Sequence, residues 1–556
     1  MTNYEIADAF TLLAKLMDIH GENSFKSKSY ASAAFAIEKL QTPLAGLDEA
    51  VIAGIKGIGA SSAKKIIELL QTGQLSQLTA LIAQTPEGII EMMQIKGIGP
   101  KKIHSIWKEM EIETIGELLY ACKENRLKLY KGFGEKTQQN VLETITYYLN
   151  NKGSFLYSQT KQAVHEVTQY LNQRFNGIQV TITGDVARQM EIITALEFVI
   201  ESTIDVINER ITVDPKFSLV ETTEHYSLWN TQAGIQLKFY AAANNFTETC
   251  IKTSSSTHFY EALQHIHSND QLVTNEATYF ENKGLPFIPS FAREDARILT
   301  NKSLEFQNIV TTKNIKGLIH CHSNWSDGNN TIEEMALAAL QKNMEYMVIT
   351  DHSKSAFYAQ GLQEDRIKAQ HQQIDELNKK LHPFKIYKSI ESDILNDGSL
   401  DYSDAILSTF DVVIASVHSN LKMQQEKAME RLLKAIENPY TTILGHMTGR
   451  LLLSRPGYPL DFKKIIDACA ANNVVIELNA NPNRLDIDWR EIPYALEKNV
   501  LISINPDAHS TDGIDDVEYG VYVAQKALVN NSQNLSSYNA AAFDAFVNNR
   551  KSLKNI

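Results

Sequence analysis

GLIHCHSNWSDG, residues 317–328, carries an apolar run onto two histidines spaced two apart, with an aspartate five residues further on. Side chains two apart on a strand face the same way, so His320 and His322 read as a preformed chelating pair. A lone buried histidine is most often structural. A second in the same phase, followed by Asp327, reads as the start of a metal site.

The surroundings repeat the pattern. From residue 316 onward short apolar strands alternate with helices: KGLIHCH, EYMVITDH, FKIYKSIE, DVVIASVH, TTILGH, NVVIEL and VLISINPDAH. Seven strand–helix units in series argue for a parallel α/β barrel or a related wound sheet. The second strand ends in Asp351 and His352, the third in Glu391 and then Asp393, the fourth in His418 and the fifth in His446. The sixth ends at Glu477 and runs into NANPNR, and the seventh supplies the pair Asp507 and His509. In an α/β barrel the strand C-termini collect on one rim. Imidazole and carboxylate together suit borderline divalent ions such as Zn, Mn or Fe.

Nine ligands (His320, His322, Asp327, His352, Glu391, His418, His446, Asp507, His509) exceed the needs of one ion. Two or three ions are expected, with Glu391 bridging. Closely spaced divalent ions serve phosphoester hydrolysis, one activating water while another neutralises the phosphate. Lys354 in TDHSKS, Arg450 in GHMTGR and Arg484 in ANPNRLD are the expected phosphate clamps.

A chain of 556 residues has room for three or four domains. Its 43 % apolar and 21 % charged content is ordinary for a soluble globular protein. The N-terminus is neither basic nor apolar enough for a signal peptide, and no run approaches a membrane span. Cys122, Cys250, Cys321 and Cys469 form no CxxC pair, which suggests reduced thiols in a cytoplasm. The net charge of −13 argues against nucleic acid taken alone, but residues 1–150 hold 16 Lys+Arg against 17 Asp+Glu. Almost all the excess acid lies beyond them, where metal ions would offset it.

In that balanced segment a phrase recurs: IKGIGASSAKKI at 55–66, IKGIGPKKIHSI at 95–106 and, more loosely, YKGFGEKTQQNV at 130–141. The glycine pairs Gly57/Gly59, Gly97/Gly99 and Gly132/Gly134 allow a tight turn and close approach of a ligand to the next helix's N-terminal amides. Lys56, Lys64, Lys65, Lys96, Lys101 and Lys102 add positive charge around these turns. One copy would be an ordinary turn. Three copies are a helix-hairpin-helix pattern, which grips DNA phosphates without reading bases.

Residues 155–240 read as a small α/β unit: helical QAVHEVTQYLNQRF, then strand-like IQVTITG, EFVIES, RITV and GIQLKFYAA. The stretch 241–290 is irregular and more helical, and NKGLPFIPSFAREDA (282–296) has the turn signals of a connector.

HCHSNWSDG, TDHS, IESD, SVHS, GHMTGRLLLSRPGY, ELNANPNRLD and NPDAH resemble the motifs of the polymerase-and-histidinol-phosphatase (PHP) domain, in the form carried by bacterial family-X DNA polymerases. GENSFKSKSYASAA and GLPFIPSFARED resemble that family too, so the likeness spans essentially the whole chain. It implies helical helix-hairpin-helix domains at 1–82 and 83–150 (fingers-like), and a nucleotidyltransferase palm at 151–240. A thumb at 241–290, a linker at 291–315 and a seven-stranded PHP barrel at 316–556 complete it. By the resemblance, His320, His322, Glu391 and Asp507 hold one ion; Glu391, His418 and His446 a second; Asp327, His352 and His509 a third. It further implies a manganese-dependent 3′–5′ exonuclease, able also to cut abasic sites, acting as a monomer on gapped DNA, single strands or 3′ ends.

The palm departs from the family. Its motif begins Gly-Ser, continues through an arginine pair and a glutamate, and ends in Asp-x-Asp. Here Gly184 and Glu191 fit, but Asp185 replaces the serine and Ala187–Arg188 the arginine pair. Ala195 and Glu197 stand where the two aspartates belong, and the neighbouring strand offers Gln236 and Lys238 with no aspartate. Loss of nucleotidyl transfer is expected. Two other functions compete: a small-molecule phosphatase of histidinol-phosphatase type, and a gap-filling polymerase with a rebuilt site. Lys65 falls where the family can carry a Schiff-base lysine for 5′ sugar-phosphate removal.

Overall fold

The structure is a computed structural model that describes residues 1–40, 42–95, 97–123, 126–269, 272–300 and 305–554. Lys96 lies outside the described residues. The chain divides into two compact units, Met1–Lys152 and Gly153–Ile556.

The first unit is helical and has one continuous core that draws on residues from Ile6 to Ile145. Its first helix, Asn3–His20, is opened by a capping box between Thr2 and Glu5 and closed by Gly21 in the left-handed region. Helices Ala60–Thr72, Pro100–His104 and Glu135–Asn151 each follow one of the repeated glycine phrases.

The second unit opens with the short strand Phe155–Leu156, which pairs with Ile192–Ile193, then helix Tyr157–Arg174 and a five-stranded sheet. Its strands are β1 (Val180–Thr183), β2 (Ala195–Ile200), β3 (Phe217–Thr222), β4 (Tyr226–Thr231) and β5 (Gln236–Ala241), in the order β1-β2-β5-β4-β3. Only β2 and β5 run parallel. The sequence reading took RITV as a strand, but it closes helix Ile204–Thr212. Ile207 and Ile211 of that helix are buried against the sheet, a tertiary contact that overrides β-branched propensity. Strands β3 and β4, unforeseen in the sequence, form the hairpin on the sheet's outer side.

The stretch 282–296 has the turn signals of a connector, and 291–315 is the expected linker. Instead Ile288, Ala292 and Leu299 pack with Ile251, Phe259 and Phe280. Arg293 is wholly buried there, donating to the Ile288 carbonyl at 2.8 Å and Ser254 Oγ at 2.6 Å and pairing with Glu276.

The barrel strands are β6 (Gly317–Cys321), β7 (Tyr346–Ile349), β8 (Lys385–Asp393), β9 (Val412–Ser416), β10 (Ile443–Leu444), β11 (Val475–Asn479) and β12 (Ile502–Asn505). They pair in chain order and all in parallel, and a bridge between Cys321 and Ala508 nearly closes the ring. Strands covered on both faces read as continuous apolar runs, which is why these segments are legible. Leu318, Met347, Val413 and Ile476 face the surrounding helices. Ile319, Val348, Tyr387, Ile414 and Val475 form an inner core with Phe543 and Val547 of the last helix, Ala540–Lys554. The inner face thus ends in polar side chains only at the C-terminal rim. The α-helical, mixed α/β and seven-stranded barrel classes expected from the sequence are all present.

Candidate metal centre and nucleic-acid interface

Glu391 sits at the middle of the rim, wholly buried, on the same face of β8 as Tyr387. Its Oε1 lies 3.0 Å from His446 Nε2, 3.1 Å from His418 Nε2 and 3.3 Å from His320 Nε2. Its Oε2 lies 2.9 Å from His352 Nδ1 and 3.8 Å from His322 Nε2. Asp507 Oδ1 is 3.1 Å from His322 Nε2 and 3.5 Å from His320 Nε2. Asp327 completes a second side, 3.5 Å from His352 Nε2 and 3.5 Å from His509 Nε2. All nine residues singled out in the sequence therefore meet in one continuous cluster.

Three subsets bring one ligand atom each within 4.8 Å of one another: His322/Asp327/His352/His509, His320/His322/Glu391 and His352/Glu391/His418. Among the described residues, His320 Nε2, His322 Nδ1, His352 Nδ1, His446 Nδ1 and Glu391 Oε2 are buried without a hydrogen-bond partner. Buried polar atoms are seldom left unsatisfied. Orphaned imidazole nitrogens around a carboxylate fit a divalent cation, and the donor set suits one.

The strand geometry differs from simple alternation. Pairing of β6 with β7 shifts register between Ile319 and Cys321, and His320 lies at φ 63°. A bulge re-aims a side chain at a strand end, so His320 turns inward while His322 follows beyond the strand. Asp507 has φ 53°, and such left-handed backbone at a non-glycine residue carries strain of about 1–3 kcal/mol. The loop after His322 folds back on it, because a Cβ on Gly328 would lie 2.6 Å from the His322 carbonyl carbon.

A second ring of groups orients the first. Glu477, left unassigned by the sequence reading, accepts from His320 Nδ1 at 2.5 Å, Asn505 Nδ2 at 2.8 Å, Asn479 Nδ2 at 2.9 Å and the His446 amide at 3.1 Å. Asp393 lies 3.1 Å from His418 Nδ1. Asp351 accepts from the Ser323 amide and hydroxyl, Ser326 and Gln370 at 2.5–2.8 Å, which fixes the loop carrying Asp327. Carboxylates behind ligating histidines fix ring orientation. Their position at the same strand ends as the ligands was the only sequence signal for them.

Charge follows the geometry. Burial works against protonating His418, yet Glu391 and Asp393 raise it to about 9. Burial and the neighbouring His509 and His352 push His322 down to about 3, leaving it neutral and able to donate electrons to a cation. Burial works against ionising Glu391, but the surrounding His418, His320 and His352 hold its carboxyl well below the usual range.

Of the three expected clamps, Arg484 is the one at the cluster, with Nε 3.8 Å from Asp507 Oδ2. Arg450 is engaged elsewhere: it donates to the Arg484 carbonyl at 2.9 Å, to the Leu485 carbonyl and to Asp488 at 2.7 Å. It holds a loop. Lys354 Nζ lies 5.1 Å from the Tyr402 ring centroid.

In the N-terminal unit the three glycine phrases share one conformation. Gly57, Gly97 and Gly132 have φ of 96°, 90° and 91°. Gly59, Gly99 and Gly134 are extended N-caps whose helices receive no side-chain cap. A Cβ on any of those three caps would meet nothing within 4 Å, so the space beside each cap is open. Lys64 and Lys101 are exposed beside them. Lys65 lies 4.0 Å from Glu68 and 5.9 Å from the Tyr30 ring centroid.

In the small sheet, β2 and β5 pair Ala195 with Gln236 and Glu197 with Lys238. Glu197 accepts from Tyr240 Oη at 2.6 Å, and Lys238 Nζ lies 4.3 Å from the Tyr226 ring centroid. A Cβ on Gly184 would lie 2.1 Å from Glu197 Oε1, so Glu197 fills the space over that turn. Asp185 pairs with Arg188 at 3.3 Å.

Comparison with known proteins agrees with the motifs. Family models match a helix-hairpin-helix domain at residues 1–75, a SAM-like helix-hairpin-helix tandem at 89–145 and a PHP domain at 319–481. The chain is 29 % identical over 575 residues, 98 % of its length and 99 % of the relative's, to the DNA polymerase/3′-5′ exonuclease PolX of Bacillus subtilis. Over 212 residues, 36 % of this chain, it is 28 % identical to a protein of Thermoanaerobacter sp. named "probable phosphatase", covering 80 % of it. A protein of that name from Acetivibrio thermocellus is 30 % identical over 156 residues, 27 % of this chain and 58 % of its own length. The chain is similar to PolX over nearly its whole length and carries helix-hairpin-helix and PHP domains. Among the described residues no helix is long and apolar enough to cross a membrane.

Proposed function

We propose that this chain is a metal-dependent DNA phosphodiesterase, a 3′–5′ exonuclease whose barrel cuts DNA that the helix-hairpin-helix unit grips, and whose palm no longer synthesises. The observation that carries it is the meeting of eight other candidate ligand side chains with Glu391 in one buried cluster, where several imidazole nitrogens have no hydrogen-bond partner. Two or three ions, manganese for activity with zinc or iron as other occupants, would be held by His320, His322, Glu391 and Asp507, by Glu391, His418 and His446, and by Asp327, His352 and His509. When bound, they supply Lewis acidity toward the phosphate and activate the attacking water. Glu477, Asp393 and Asp351 keep the ligands aimed, and Arg484 contacts the phosphate beside Asp507.

The whole-length likeness to PolX supports DNA over a small phosphate ester as substrate. The phosphatase relatives align with little more than a third of the chain, leaving the helix-hairpin-helix unit without a role. Loss of synthesis rests on Ala195, Gln236 and Lys238: on the two strands that should hold the ions, only Glu197 remains, and it is bonded to Tyr240. Lys65, half-buried beside Glu68 and Tyr30, serves as a phosphate contact rather than a Schiff-base nucleophile.

The test is purified protein with Mn²⁺ given labelled single-stranded DNA, gapped DNA and histidinol phosphate. Shortening of the DNA from its 3′ end is expected, lost in His322→Ala and Asp507→Ala while DNA binding persists. Equal cutting by all three proteins, or turnover of histidinol phosphate alone, overturns the assignment.

A further inference from the structure

Besides surface contacts such as Lys161 with Glu518 at 2.6 Å, the palm touches the barrel through a buried acid. The loop 481–490 follows β11 and carries Arg484 to within 3.8 Å of Asp507. Arg450, beyond β10, holds the backbone of that loop at Arg484 and Leu485, and its remaining nitrogen donates to Asp488 at 2.7 Å. Asp488 is shared, accepting from Arg490 Nη1 at 2.9 and 3.0 Å. That nitrogen also donates to Glu191 Oε1 at 3.3 Å. Glu191 is 7 % exposed and belongs to the palm, where its carbonyl accepts from the Tyr157 amide at 3.1 Å. Charge therefore alternates from Glu191 through Arg490, Asp488 and Arg450 to the backbone that presents Arg484.

We infer that Glu191 is a positioning residue for the phosphodiesterase site: through Arg490, Asp488 and Arg450 the palm sets where Arg484 stands. This rests on the proposed reading of the barrel. Arg490 is half in solvent and stacked on Trp489, with its guanidinium 4.5 Å from the ring centroid. An exposed arginine pair is weak by itself. Here one end is a buried carboxylate fixed in a folded sheet domain, so the pair limits the freedom of Arg490 and Asp488 instead of merely decorating the surface. The palm thus keeps a task after losing its ions. The competing view is that Glu191 is a buried acid with a convenient partner and no effect on the site.

The experiment uses the full chain with Mn²⁺, assayed on labelled single-stranded DNA and on bis(4-nitrophenyl) phosphate. Glu191→Ala lowers kcat about tenfold on both, short of the roughly 10²-fold cost of an ångström of misplacement, with KM for DNA and bound metal unchanged. Amide exchange in residues 481–490 quickens, and Glu191→Gln restores part of the rate. In an Arg484→Ala background Glu191→Ala adds nothing, because residues acting through one another are not additive. Glu201→Ala, exposed on the same domain, behaves as the unaltered protein. If Glu191→Ala fails to fold, Arg490→Ala gives the same readings from the solvent side. Unchanged rates and exchange, or losses that multiply with that of Arg484→Ala, overturn the inference and leave the nuclease standing. A wild-type protein that cuts neither substrate removes the proposed function, and this inference with it.

Discussion

His320 shows how a single residue is fixed by groups the motif does not contain. Its Nδ1 is bonded to Glu477 at 2.5 Å, which leaves Nε2 directed at Glu391 and Asp507. A carboxylate behind a ligating histidine sets its tautomer and raises its basicity, and removing such a partner typically costs roughly 10–100-fold in metal affinity or activity. Glu477→Gln should therefore weaken manganese binding by about that factor, as read by calorimetry on chelator-stripped protein, while the fold by circular dichroism is unchanged. Affinity equal to wild type would make Glu477 a packing residue. The proposed loss of nucleotidyl transfer turns on single residues too. Alanine at 195 cannot bind an ion, and Lys238 beside Glu197 repels one. His322→Ala, with the nuclease disabled, should show no gap filling with Mn²⁺ or Mg²⁺ by primer extension. Extension abolished by Glu197→Ala would show that the palm still works.

At the scale of elements, the helix-hairpin-helix turns depend on backbone that only glycine adopts cheaply. Gly97 sits at φ 90°, and a Cβ there would meet no other atom. Substitution thus acts through backbone conformation, at roughly 1–2 kcal/mol for left-handed geometry, and through the crowding of any phosphate at the turn. Gly97→Val should weaken DNA binding severalfold and flatten its salt dependence, measured by fluorescence anisotropy across a salt series. Gly73→Val, a helix C-cap at φ 73° outside the three phrases, is strained alike and should leave DNA affinity alone. Equal losses in both would make the turns structural only. The barrel strands carry the other element-scale lesson. The run of apolar residues in β6 was readable, but the bulge at His320 was not, because it arises from pairing with β7 and not from the local sequence.

For the whole molecule, the cluster gathers Asp327, Glu391 and Asp507 with six histidines at one barrel rim. A cation that binds only the folded barrel stabilises it by mass action, about 2.7 kcal/mol at a hundred times its dissociation constant. Removing metal with a chelator should lower the melting temperature of the transition that involves residues 153–556, and Mn²⁺ should restore it. An unmoved transition on scanning calorimetry would mean that the cluster holds no ion. Within the same unit, Glu294 pairs with Arg188 at 2.6 Å and with buried Lys526 at 2.8 Å, joining the small sheet region to the barrel.

The sequence alone determined the barrel, the polar strand ends that cluster at its rim and the repeated turns. Each is written locally: as apolar strands ending in histidine or carboxylate, or as a glycine pair ahead of a helix. It also placed Ala195 and Glu197 where the motif of the resembled family carries aspartates, since an alanine is legible wherever it falls. Only the tertiary structure decided which groups Arg450, Glu477 and Glu191 face. Their side chains meet partners 34, 157 and 299 residues away, and no spacing rule reaches that far. The same holds for Arg293, whose segment has the turn signals of a linker but is buried by contacts with Ser254 and Glu276. A periodicity fixes which face of an element is apolar; which charged groups then face one another depends on how the elements pack.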